Sequence, residues 1–173
     1  MTMRTLLLVC AACSAPWHVD GQQILAGSDT AQIWTVALQT HFSTFEGLHN
    51  TDRLWLSGWH GPDVLRPLSS FVTARLQEAF PEAESVDPGD ELFACPPGQQ
   101  VRMPGRGCPI REAGRIVTFF AIATVEDGHV QTGVSVTRSA PDGSWTSMLT
   151  VILQLRREPS GWTVEKILDV ART

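Results

Sequence analysis

Tyrosine is absent from this chain, and lysine occurs once, at position 166. Without tyrosine, no phenol is available as an acid or base in any site. The other basic residues are all arginine, a bias we read as codon usage with no function attached. No cationic cluster exceeds Arg156–Arg157, and the formal net charge is −5 at pH 7. A phosphate backbone therefore finds no concentrated positive surface, which argues against a nucleic-acid partner. No apolar run approaches the roughly 20 residues of a membrane-spanning helix. No G-x-S-x-G elbow is present, and no phosphate-cradling glycine loop precedes a helix, so nucleophilic catalysis and nucleotide binding lack their motifs.

What remains is a globular composition: 43% apolar and 18% charged residues in 173, enough for one domain with a real core. Arg4 precedes LLLVCAAC (6–13), a short apolar run followed by Ser14 and Ala15, which reads as an export signal. Residues 1–22 are assigned to that signal and 23–173 to a single α+β domain. Cleavage after Ala15 would meet Pro16, a poor neighbour for a signal peptidase. CAAC (10–13) also resembles the end of a bacterial lipobox, with Cys10 in place of the usual leucine. Lipidation of Cys13 is therefore the alternative, and it alone would tether the protein to a membrane. The expected location is periplasmic or secreted.

Export leaves Cys95 and Cys108, which bracket CPPGQQVRMPGRGC, a segment too rich in proline and glycine for helix or strand. In an oxidising compartment this pair reads as a disulfide. Closing such a loop is worth about 3 kcal/mol in the chain-entropy model. The spacing suits neither a zinc site nor a C-x-x-C redox pair, and no metal or cofactor is expected. The stapled loop could also present Arg102 and Arg106 as a binding surface.

Apolar periodicity predicts a helix over 28–45, capped by Ser28 with Asp29 in its first turn. Its inner face carries Trp34, Ala37, Leu38, His41, Phe42 and Phe45. A second helix is expected from Pro67 to Phe80, where Pro81 stops it. Residues 53–63 read as an extended or irregular link, and 81–91 as a loop. Turn signals at Asp127-Gly128, Pro141-Asp142-Gly143 and Pro159-Ser160-Gly161 divide the rest into four strands near 115–126, 129–139, 144–157 and 161–171. The predicted fold is α+β: two N-terminal helices packed on a curved antiparallel sheet of about four strands. Alternation sets Trp162, Val164, Leu168 and Val170 on the buried side of the last strand. The first strand is apolar on both faces, so a leftover apolar face is expected to meet a second copy or an edge of the chain.

Two helices followed by a long sheet ending in GWTVEKILDV, with Gly161, Trp162 and Val164, resemble the cystatin-like, nuclear-transport-factor-two-like cone shared with polyketide-cyclase-like proteins. The resemblance covers roughly 28–171 and implies a conical pocket used for small hydrophobic ligands or for acid–base chemistry. Catalytic members of the ketosteroid-isomerase-like and dehydratase-like kind pair Asp with His or Tyr inside the cone. This chain has no tyrosine, and Asp169 alternates outward.

His41, on the apolar face of the first helix, is the candidate general base, with Asp52 or His60 as helper; the competing reading is a core histidine. HNTDRLWLSGWHGPD (49–63) also holds His49 and Asp63, but at no spacing that forms a metal-ligand pattern. Trp34, His41, Trp55 and Trp59 are the candidate ligand-binding residues. Three functions follow. The first is a non-catalytic exported module that binds a small apolar ligand or a protein through the cone. The others are a small isomerase or dehydratase using His41, and a self-associating, homodimeric structural module.

Overall fold

A computed structural model describes residues 25–45, 53–59, 65–86, 92–94, 111–126, 128–140, 142 and 144–172, with the side chains of Trp59, Trp145 and Thr146 left aside. Helix α1 spans Gly27–Thr44 and buries Ala37, Leu38, His41 and Phe42 of the predicted face, but Ala31 and Ile33 are buried with them while Trp34 and Phe45 are only partly buried. Its N-cap is Ala26, which has no capping side chain, so Ser28 falls inside the helix. Asp29 does occupy the first turn. Its carboxylate accepts from the Trp162 indole N–H at 3.3 Å and faces Arg157 at 3.5 Å, pinning the helix start to the last hairpin.

Helix α2, Ser70–Ala79, begins later than Pro67 because Ser69 supplies the cap, its hydroxyl accepting from the Val72 N–H at 3.3 Å. Upstream, the Leu68 N–H donates to Ser85 Oγ at 3.1 Å, which holds that segment off the helical path.

The sheet corrects the predicted fold class. Among the described residues it has eight strands, not four, and is mixed rather than antiparallel. The strands are β1 (Leu54–Trp59), β2 (Leu65–Arg66), β3 (Ala83–Ser85), β4 (Gly114–Phe119), β5 (Ala123–Glu126), β6 (His129–Ser139), β7 (Trp145–Glu158) and β8 (Gly161–Arg172). Their order is β2-β1-β4-β6-β7-β8, with β3 beside β1 and β5 beside β6. Only α1 precedes the sheet; α2 lies between β2 and β3.

Three physical reasons account for the difference. The supposed link at 53–63 contains β1, whose Leu54, Trp55, Leu56 and Ser57 are all buried, the two-sided burial of an interior strand. It runs parallel to β4 and to β3, pairings between segments far apart in sequence that no turn signal marks. The predicted 115–126 strand breaks at Phe120–Ile122, where the Phe120 N–H donates to Gly133 O at 2.9 Å and its carbonyl accepts from Thr132 Oγ1 at 3.1 Å. Finally, β8 carries register shifts opposite Ile152/Leu153 and Gln154/Leu155. Each bulge breaks strict alternation. Trp162 is buried as expected, but Leu168 and Val170 are exposed, with Ile167 beside them.

Alternation in β1 and β4 separates two cores. Leu54, Leu56, Val117 and Phe119 face the helices and join Leu38, Phe42, Leu76 and the inner residues of β6 and β7. Trp55 and Ile116 face the other way and pack with Leu65, Val86 and Phe93.

Candidate binding site

The helix-covered interior is filled by its own side chains. His41 is fully buried, and its ring meets Phe42 and Phe45 edge-on. Its Nε2 lies 3.2 Å from the Leu149 carbonyl, which can only accept, so Nε2–H donates. An imidazole engaged in this way, with no exposed surface, ties α1 to β7. Trp34 stacks on Phe119 with ring centroids 4.9 Å apart and an interplanar angle of 15°, its indole N–H buried without an acceptor.

Trp55 stands on the opposite face. Its indole lies over Gly114 of β4, where an added Cβ would run into the ring, so the absent side chain is what lets the tryptophan lie flat. Beside it opens a cavity of about 340 Å³ lined by Arg53, Trp55, Glu84, Ser85, Val86, Leu92, Arg111 and Glu112. Three chain segments converge there. The Arg115 N–H donates to Arg53 O at 2.9 Å, the Val86 N–H to Leu56 O at 2.9 Å, and the Arg111 N–H to Leu92 O at 2.9 Å. Glu84 is the parallel register partner of Trp55 on β3.

Four of the lining residues are charged. Arg53 and Glu112 neutralise each other at 2.7 Å, both half exposed or more. Arg111 and Glu84 form no ion pair among the described residues. Two cations and two anions suit binding by charge-assisted hydrogen bonds, whereas Trp55, 4% exposed, offers almost no ring surface. No cluster of three metal-ligating side chains occurs among the described residues, and no described helix is long and apolar enough to cross a membrane.

The residues proposed from sequence are thus dispersed. His41 sits in the core, Trp34 at its margin and Trp55 in the cavity. Trp59 lies at the end of β1 opposite Leu65. Cys13, His49, Asp52, His60, Asp63, Cys95, Arg102, Arg106 and Cys108 lie outside the described residues. Glu84, Arg111 and Glu112 were missed because the parallel pairings alone bring them to Trp55. Trp55, paired with Trp59 as an aromatic candidate in the supposed link, was the one visible signal. No family model, no curated protein and no solved structure matches this chain.

Proposed function

We propose that this chain is a non-catalytic binding module of an exported protein, holding a small polar ligand in the charged cavity above the buried Trp55, on the side of the sheet away from the helices. The observation that carries the reading is the cavity of about 340 Å³ with walls formed by Arg53, Glu84, Arg111 and Glu112, over a Trp55 that is itself buried. Its volume is at the low end of the roughly 300–1,000 Å³ of small-molecule sites. The ligand is moved from the interior of a cone to the outer face because the interior is occupied by packed side chains. His41 has no catalytic part in this reading.

Calorimetric titration with small charged probes tests it. Arg111→Gln, which removes a charge from the wall, and Leu92→Trp, which fills the cavity from its rim, should each weaken binding about three-fold or more. Trp34→Phe should leave binding unchanged. Retention of full affinity in both cavity variants would remove the site.

A further inference from the structure

We infer that β8 pairs edge to edge with β8 of a second copy of this chain, antiparallel across a two-fold axis. The cavity beside Trp55 plays no part in this. Among the described residues the two edges of the sheet differ. At one end β1 is flanked by β2 and β3, of 2 and 3 residues, too short to template another strand. At the other end lies β8, with 12 residues and β7 as its one described neighbour. Every residue from 165 to 172 is exposed, among them Ile167 at 40%, Leu168 at 38% and Val170 at 43%. A long edge that carries apolar side chains invites a second strand.

Lysine and bulges ordinarily blunt such an edge. Here the bulge has the reverse effect. Ile167 lies opposite Leu153 and Val170 opposite Val151, residues on one face of β7, so the extra residue between them turns both side chains to the helix side. Lys166 and Asp169 lie opposite Gln154 and Ile152, which puts both on the other face. The Val170 N–H donates to the Asp169 carboxylate at 2.8 Å, a local stand-in for a ladder partner.

These positions define a self-complementary register. With Ile167 set against Val170 of the second copy, Lys166 falls against Ala171, and each of these pairs shares a face. Both strands carry the same extra residue, so they stay in step. Two isoleucines and two valines then meet on the helix side. On the other face Lys166 is diagonal to Asp169 of the second copy, within reach of a lysine side chain, and symmetry forms that ion pair twice. The second strand takes the Val170 N–H, and the Asp169 carboxylate turns to the lysine. Opposite charges at these two positions suit a reversed copy of the same strand better than an acidic or a basic partner.

Sedimentation equilibrium on the full chain, from about 1 µM to about 500 µM, tests the pairing. A monomer–dimer equilibrium in the micromolar range is expected, because one short ladder falls below the area of an obligate dimer. Val170→Lys, at an exposed position that leaves the core intact, should weaken association about ten-fold or more. Lys166→Glu and Asp169→Lys should each weaken it about three-fold to ten-fold, and combining them should restore it, a rescue that loss of folding does not produce. A monomer at every concentration, with another part of the chain or another protein over the edge, overturns the proposal. A dimer that Val170→Lys and both single reversals leave unchanged overturns it too, since it uses another surface.

Discussion

The two faces of this sheet are packed by different chemistry. On the helix side, Leu149, Val151, Leu153 and Leu155 of β7 lie almost inaccessible under α1, with Val134 and Val136 of β6 beside them. On the other side, the register aligns Ser57, Thr118, Ser135 and Thr150 as a row of hydroxyls across β1, β4, β6 and β7. Ser57 and Thr118 are 3.2 Å apart, Thr150 donates to Ser135 at 3.1 Å, and Ser57 donates to the Val117 carbonyl at 3.1 Å. The face that was expected to be apolar therefore carries a polar row, with apolar patches around Trp55 and Ile116 and around Phe120 and Ile152 over Gly133. One face is held by volume and the other by hydrogen bonds, and only the second leaves a cavity with charged walls. Non-directional packing fills space, whereas directional bonding leaves gaps where side chains are short.

The largest effect should come from truncating the helix side. Leu153→Ala is expected to cost about 2–5 kcal/mol, against about 0.5–1.5 kcal/mol for Ile116→Val on the other face. Chemical denaturation measures both, and equal costs would erase the contrast. Gly114→Ala pushes a methyl into the Trp55 ring and should cost about 1–3 kcal/mol by overpacking, with probe affinity falling in parallel. Unchanged affinity in that variant would mean that the indole's position is irrelevant to the site.

A smaller effect of opposite sign is expected at Thr137, only 2% exposed, whose hydroxyl is buried without a partner. Thr137→Val should leave stability equal or raise it by about 1 kcal/mol, because an unsatisfied polar group is removed. A clear loss of stability would show that the hydroxyl row extends to Thr137.

The smallest effect lies in the β6–β7 turn, outside both faces. The Ser144 side chain donates to Asp142 at 2.6 Å and its N–H donates at 2.9 Å, holding that carboxyl below the usual carboxylate range. A depressed folded pKa means the contribution is present above the ordinary value and is lost as pH falls through the folded one. Ser144→Ala should raise the Asp142 pKa, read by carboxyl NMR titration, while leaving both faces undisturbed.

Local features were readable in the residues themselves. Ala37, Leu38, His41 and Phe42 marked a helix and most of its buried side, and Asp127-Gly128 and Pro159-Ser160-Gly161 marked the turns of the long hairpins. Gly161 was legible as a turn residue, and it has φ +126°, a conformation that other residues rarely adopt. The interior strand at Leu54–Trp59 was not legible. Its apolar residues follow no single period, and a serine and a glycine interrupt them. The bulges that expose Leu168 and Val170 were hidden for a related reason: they depend on the partner strand's register.

The candidate site divided in the same way. Trp55 stood out as a large aromatic in a short apolar stretch. Nothing in Glu84 or Arg111 distinguishes them from ordinary surface charges until β3 and β4 lie beside β1. By itself, then, the sequence determined what neighbours along the chain impose on one another: helical stripes, tight turns and paired strands joined by short loops. Tertiary structure alone decided the parallel pairings, the hydroxyl-lined second face and the charges around Trp55. Those depend on contacts between segments up to about sixty residues apart, such as Leu54 with Arg115, and loop-closure entropy there is offset only once the whole sheet assembles.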